Sequence, residues 1–402
     1  MTQKLDELID RMGTQSVKWE YIVRNGVFSQ SDHADTRHGD ERILPMWVAD
    51  MDFRCPPAVI EALGKRVEHG IFGYTKPADS YFEAVMAWME QYYGWKVEQE
   101  WITLASGVVP AINTMIQGML QPGDKVIIQP PVYYPFAMAI RNNGMEVVEN
   151  ALLYENGRYL IDFDDLAAKA ADPAVKMALL CSPHNPVSRV WNREELTRFG
   201  EICIENDLII VADEIHGDLI YDDVEFVSLP TISETFADNC IVCNAPSKTF
   251  NLAGLQTSNI IIKNEAWRKL YRQQVGRNGT HHINIFGPIA AEAAYRHGRD
   301  WLDEVMAYVQ ENYRFMEAYL AEHLPQVDLI QAEGTYLVWA DFSKLGLSPE
   351  ARKVLIMDNA KVYLDEGEMF GVEGTGFERF NLACPRSILA EALERIKTAV
   401  LQ

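Results

Sequence analysis

Positive charge is what this sequence lacks most: 36 Lys and Arg stand against 58 Asp and Glu, a formal net charge of −22 over 402 residues. A chain so acidic is not built to grip nucleic-acid backbones or anionic membrane surfaces non-specifically. Long apolar runs are missing too, and no stretch has the length and purity of a membrane helix. The opening MTQKLDELIDRMGTQSVKWEY has no apolar h-region, so no secretory signal is visible and a cytoplasmic setting is expected. There the six cysteines (Cys55, Cys181, Cys203, Cys240, Cys243, Cys384) are expected as free thiols. Repeats, low-complexity tracts and Gly/Ser linkers are absent as well.

Three short patterns carry no chemistry. Cys240 and Cys243 form a CxxC, but CIVCNA reads as a strand, and residues three apart on a strand face opposite sides. No second CxxC accompanies it, so the pair reads as buried structural thiols. GVEGTG (371–376) lacks the glycine spacing and the following helix of a dinucleotide fingerprint. His281 and His282 have no further residue at metal-ligand spacing and read as structural.

What is present is ordinary globular composition, 48% hydrophobic, with enough length for two lobes. Residues 1–50 read as an N-terminal segment packing with a small domain, 51–287 as a large domain, and 288–402 as a small C-terminal α+β domain. PPAVIEALGKRVEHG has apolar spacing for a helix at Val59, Leu63 and Val67, and SYFEAVMAWMEQYYGW is a helix stopped by Gly94. Short apolar strands follow at 125–130, 145–152, 176–183, 208–214, 240–246 and 258–263, some separated by helical spacers. Strands so continuously apolar are covered on both faces, which predicts an α/β class with a large, mostly parallel, doubly wound sheet. After residue 288 the texture becomes a long helix broken near Gly298, three strands and a closing helix.

Ligands of open α/β sheets bind beyond the carboxyl ends of the strands. Five such places carry unusual residues: ASGVVPAI, PPVYYPF, SPHNP, DEIHGD and SK. Asp213 ends a strand that reads as buried, so its carboxylate needs a cationic partner. Gly107, before Val108 and Val109 and a helical run, offers backbone N–H groups at a helix start, which suit a phosphate. Asn185 brings an amide, Tyr133 an aromatic face and Lys248 an amine. One ligand uses all of them: pyridoxal 5′-phosphate, whose aldehyde needs a lysine and whose pyridine nitrogen needs a carboxylate.

The ordered series SGxxxAI, PxYxPF, SPHNP, DEIHxD, SKTFNLAGLQ and NLACPR resembles the fold-type I pyridoxal-phosphate enzymes. More narrowly, with LPMWVADMDF (44–53) and FGYT (72–75), it resembles the aminotransferase-like C–S β-lyases of the cystathionine β-lyase type. The resemblance implies that Lys248 forms the Schiff base and acts as general base. It implies that Asp213 pairs with the pyridine nitrogen, Asn185 bonds the phenolic oxygen and Tyr133 stacks on the ring. Gly107, Val108, Val109 and Ser247 would hold the phosphate. His216 stands where many aminotransferases place a tyrosine on the phenolic oxygen, and counts with the cofactor contacts. Tyr74 would reach the phosphate from a neighbouring subunit of a homodimer, and Arg386 would bind the substrate α-carboxylate, with Asn185 and Tyr74 beside it. Trp47 fits a pocket wall or core packing equally.

Many aminotransferases carry an arginine eight residues after the lysine; here that position is Gln256, as in the lyases it resembles. The expected reaction is α,β-elimination from L-cystathionine or a related cysteine S-conjugate to pyruvate, ammonia and a thiol, with no metal, nucleic acid or membrane involved. Transamination of an amino acid is the alternative, and a regulatory protein-binding role on the same fold a third.

Overall fold

The computed structural model describes residues 5–24, 27–30 and 43–402. The chain divides into two compact units. The larger spans residues 54–303 with the short return 333–335; the smaller comprises the N-terminal segment to residue 53, residues 304–332 and 336–402.

The larger unit is built on a seven-stranded sheet: β1 (Ile102–Ala105), β2 (Lys125–Ile128), β3 (Glu146–Glu149), β4 (Val175–Cys181), β5 (Ile209–Asp213), β6 (Cys240–Asn244) and β7 (Ser258–Ile262). Their spatial order is β1-β7-β6-β5-β4-β2-β3. β7 alone runs antiparallel to its neighbours; the other pairings are parallel, as the continuous apolar runs of β4, β5 and β6 require. Cys240 and Cys243 are buried free thiols within β6.

Register decides what meets at the strand ends. Asp213 is level with Cys181 of β4 on one side and with Cys243 of β6 on the other. The antiparallel β7 pairs Asn259 with Asn244 of β6 and with Leu104 of β1. The segments following β1, β4, β5 and β6 therefore emerge along one edge.

Helices cover the sheet. α1 (Pro57–His69) ends on Gly70 at φ 72°, and α2 (Asp79–Tyr93) on Gly94 at φ 67°, the left-handed C-cap that glycine adopts without steric cost. α3 is Val108–Met119, and α4 (Arg193–Glu205) starts on a capping box formed by Asn192 and Glu195. α5 is the short turn Pro246–Thr249, and α6 is Phe286–His297. α7 (Arg299–His323) begins after Gly298, where a Cβ would lie 2.5 Å from Ala294 O and 2.6 Å from Phe250 Cε1. The break expected near Gly298 is thus a close approach of Phe250, from the segment that carries Lys248.

The smaller unit departs from the sequence expectation at its boundary. It takes over at residue 304 rather than 288, because α6 packs on α1 and α2 inside the larger unit. Its sheet has four short strands, β8 (Asp328–Leu329), β9 (Leu337–Asp341), β10 (Asp365–Glu366) and β11 (Phe377–Asn381), in the order β8-β9-β11-β10. The closing helix α8 runs Arg386–Leu401. Within the N-terminal segment Asp52 accepts from Lys18 Nζ at 2.7 Å, Trp19 Nε1 at 2.8 Å and Arg11 Nη1 at 2.8 Å. The segment joins the rest of this unit through backbone bonds from Leu44 N–H to Lys361 O at 2.9 Å, Met46 N–H to Tyr363 O at 2.8 Å and Asp52 N–H to Ala383 O at 2.8 Å. Instead of helix and irregular chain alone, it holds a hairpin, Tyr21–Arg24 with Val27–Gln30; residues 1–4, 25–26 and 31–42 of that expectation lie outside the described residues.

Candidate active site

The edge formed by β1, β4, β5 and β6 collects most of the residues singled out by sequence. Asp213, last residue of β5, is buried, with Oδ1 accepting from Ile215 N–H at 3.2 Å. Burial pushes its carboxyl up to about 7, against the pull of that N–H and of the Lys248 charge. A carboxylate so placed is short of positive charge and suits a cationic ligand atom.

Lys248 lies in α5, the single turn that follows β6; it is partly buried, and its charge acts on Asp213. Ser247 precedes it and anchors the turn by accepting from Leu252 N–H at 3.0 Å. Asn185 follows β4 in a buried loop, its N–H on Cys181 Sγ at 3.5 Å. His216 is buried beyond β5, where its carbonyl accepts from Leu219 N–H at 2.9 Å. Tyr133 packs partly buried against the core, edge-on to Phe136 at 5.9 Å.

Gly107 is the N-cap of α3, and Val108 and Val109 are its first residues. The first intrahelical bond donor there is Ala111 N–H, on Gly107 O at 3.2 Å, so the amides of the first turn point out of the helix. A Cβ on Gly107 would come 3.3 Å from Pro110 Cδ, so the glycine keeps the approach to those amides tight. Together these groups offer an amine, a buried carboxylate, an amide and an anion cradle along one edge.

Two sequence candidates lie elsewhere. Tyr74 is 98% exposed, its ring 5.7 Å from His282. It lines a cleft of about 830 Å³ with Lys76, Tyr81, Arg272, His281 and His282, and that cleft touches neither Lys248 nor Asp213. His281 and His282, expected as structural, are exposed on its rim. Arg386 belongs to the smaller unit, at the first position of α8; its Nε donates to Asn312 and its guanidinium lies 5.0 Å from the Phe315 ring. The same unit holds Arg379 on β11, buried, bonded to Asp365 and to Trp47 O. Trp47 itself packs in that unit's core with Tyr363, its rings 4.6 Å apart.

The sequence reading passed over Asp218, Tyr93, Asn244 and Thr249, which are linked by hydrogen bonds that reach α5 at Thr249, the residue after Lys248. Asp218 closes the DEIHGD motif and was the one signal available.

The sequence profile described as "Aminotransferase class I and II" matches residues 42–396. The chain belongs to that family. Within it, the chain is 43% identical over 395 residues to "Cystathionine beta-lyase PatB" of Bacillus subtilis (strain 168), covering 98% of this chain and 99% of the relative. Among solved structures it is similar to cystalysin from Treponema denticola, which contains a pyridoxal 5′-phosphate cofactor: TM-score 0.92, 37% identity, 100% of this chain and 99% of the other. It is also similar to the PLP-bound C–S lyase from Staphylococcus hominis, with TM-score 0.89 and 31% identity over 99% and 98% of the two chains.

Proposed function

We propose that the protein is a pyridoxal-phosphate-dependent C–S β-lyase that splits L-cystathionine or related cysteine S-conjugates into pyruvate, ammonia and a thiol. The observation that carries the reading is a buried Asp213 at the end of β5 that feels the charge of Lys248 in the turn after β6, along the same sheet edge as a helix start open to a phosphate. The relatives named lyases, at 43% and 31% identity over nearly the whole chain, support the reaction type.

The residues present fit the cofactor. Asp213 would hold its pyridine nitrogen protonated, Asn185 and His216 would face the phenolic oxygen, and Tyr133 would stack on the ring. The amides of Gly107, Val108 and Val109 and the Ser247 hydroxyl would hold the phosphate. When bound, pyridoxal phosphate supplies a conjugated sink for the electron pair left at the substrate Cα. Lys248 takes the Cα proton as general base. The electron pair then forms the Cα–Cβ double bond as the Cβ–S bond breaks, and the sulfur leaves as thiolate to be protonated. The three-carbon enamine released adds water and yields pyruvate and ammonia. Arg386, by the family resemblance, binds the α-carboxylate in a two-point fork.

A homodimer completes this reading, with Tyr74 of a second copy reaching the phosphate, and the cytoplasm is its setting. Incubation with L-cystathionine without any keto acid tests it. Pyruvate and free thiol should appear in equal amounts and over many turnovers. No turnover alone, but activity once a keto acid and an amino donor are supplied together, would make the protein an aminotransferase. Arg386→Ala should raise KM about tenfold or more, the worth of a charge-assisted fork; an unmoved KM would pass the role to Arg379.

A further inference from the structure

Behind Lys248 lies a run of buried polar side chains that the chemistry above does not use. The Tyr81 hydroxyl donates to Asn259 Oδ1 at 2.5 Å. Asn259 Nδ2 donates to the Tyr295 hydroxyl at 3.1 Å, which donates to Asn244 Oδ1 at 3.1 Å. Asn244 Nδ2 donates to the Tyr93 hydroxyl at 2.9 Å, and Tyr93 donates to Asp218. The two asparagines are direct cross-strand partners of β6 and β7, so the sheet register builds the middle of the chain.

Every donor in the series points the same way, and the series ends on a carboxylate. Bonds aligned in one direction polarise one another, and a terminal charge strengthens the last of them. Asp218 also accepts from Trp88 Nε1 at 2.9 Å and from Thr249 Oγ1 at 2.7 Å. Thr249 is wholly buried and adjoins Lys248 in α5. Asp218 thus gathers three donors; burial raises its carboxyl above the ordinary carboxylate range, and the bonds from Thr249, Trp88 and Tyr93 and the Arg299 charge pull against that rise.

We propose that Asp218 is a positioning residue: by gathering Thr249, Trp88 and the tyrosine–asparagine chain onto one carboxylate, it fixes the α5 turn and so the reach of Lys248. The chain is a strut and not a proton wire, because two carboxamides interrupt it and neither passes a proton on without changing tautomer. The inference rests on the assignment of Lys248 in the proposed function, and deepens it.

The test uses the full chain with Thr249→Val, Thr249→Ser and Asp218→Asn. Three readouts are taken: steady-state kinetics, denaturant midpoint, and the rate of acetylation of Lys248 in the cofactor-free protein relative to the exposed Lys65, by peptide mass spectrometry. Thr249→Val and Asp218→Asn should lower kcat about tenfold or more, as a misplaced catalytic group does, with KM within about twofold. Both should change the relative acetylation of Lys248, and Thr249→Ser, which keeps the hydroxyl, should restore both values. If Lys248 acetylation and kcat match the wild type while only the midpoint falls, the network is merely structural and the proposal fails. If Thr249→Ser behaves like Thr249→Val, the hydroxyl is irrelevant and the proposal fails as well. If bound cofactor does not protect Lys248 in the wild type, the assignment of the lysine fails first, and the inference with it.

Discussion

Asp213, proposed to meet the cofactor's ring nitrogen, is a burden to the fold without that partner. Its carboxyl is raised from 3.8 to about 7 by burial. A raised acid stabilises the folded chain below the ordinary carboxylate range, and that contribution is lost as pH rises through about 7. The cofactor-free protein should therefore lose on the order of a few kcal/mol between pH 4 and pH 8 on account of this group. Glu214, raised to about 8 by its own burial, titrates beside it, so the comparison is with Asp213→Asn and not with a flat line. The variant should melt higher than the cofactor-free wild type at pH 8 and approach it only below about pH 4, where the carboxyl is neutral in the folded and the unfolded chain alike, yet bind pyridoxal phosphate far more weakly, since an amide cannot balance a protonated nitrogen. Equal melting of the two at pH 8 would mean that Asp213 is already neutralised by its surroundings.

At the scale of elements, the loop that carries Asn185 is held by a buried ionic cluster. Arg189 donates through Nε to Glu333 Oε2 at 3.0 Å, through Nη1 to Tyr159 O at 2.8 Å and through Nη2 to Glu195 at 2.8 Å. Glu333 also accepts from Val190 N–H at 2.8 Å and Arg158 at 2.7 Å. Glu333→Ala leaves the buried guanidinium with one carboxylate in place of two and should cost about 3 kcal/mol, read as a lower denaturant midpoint at unchanged slope. None of this cluster was legible in the sequence, because Glu333 and Arg189 lie far apart along the chain and neither sits in a periodic pattern. The sheet strands were legible because apolar runs mark buried strands, and the placing of Lys248, Asp213 and Asn185 at the strand ends was legible because polar residues just after such runs stand out. The boundary at 304 and the role of Asp218 were not, since both depend on packing between segments distant in sequence: α6 on α1 and α2, and Trp88 of α2 on Asp218 and on Phe250 just after α5.

At the scale of the whole molecule, a group of large apolar side chains of the larger unit is exposed among the described residues. Ile60 and Val67 of α1 are 57% and 55% exposed, and Ile71, Phe72 and Tyr74 follow at 68%, 54% and 98%. The helical spacing that places Val59 in the core leaves Val67 outside it, although both belong to one apolar series in the sequence. Large exposed apolar side chains so close together in sequence mark an interaction surface, and the proposed homodimer supplies an occupant that would also bring Tyr74 to a phosphate. The expected mass in solution is that of two 45.7 kDa chains. Ile71→Glu with Phe72→Glu would set charges in the apolar face of both copies at once, because a two-fold interface repeats every change. Light scattering should then give a monomer that stays folded by circular dichroism, with weakened hold on the cofactor. Tyr74→Phe should leave the dimer intact and weaken cofactor binding about tenfold, the worth of one hydrogen bond to a charged group. Wild-type protein that runs as a monomer and still binds cofactor tightly would show that each chain holds its cofactor unaided, and would remove Tyr74 from the site.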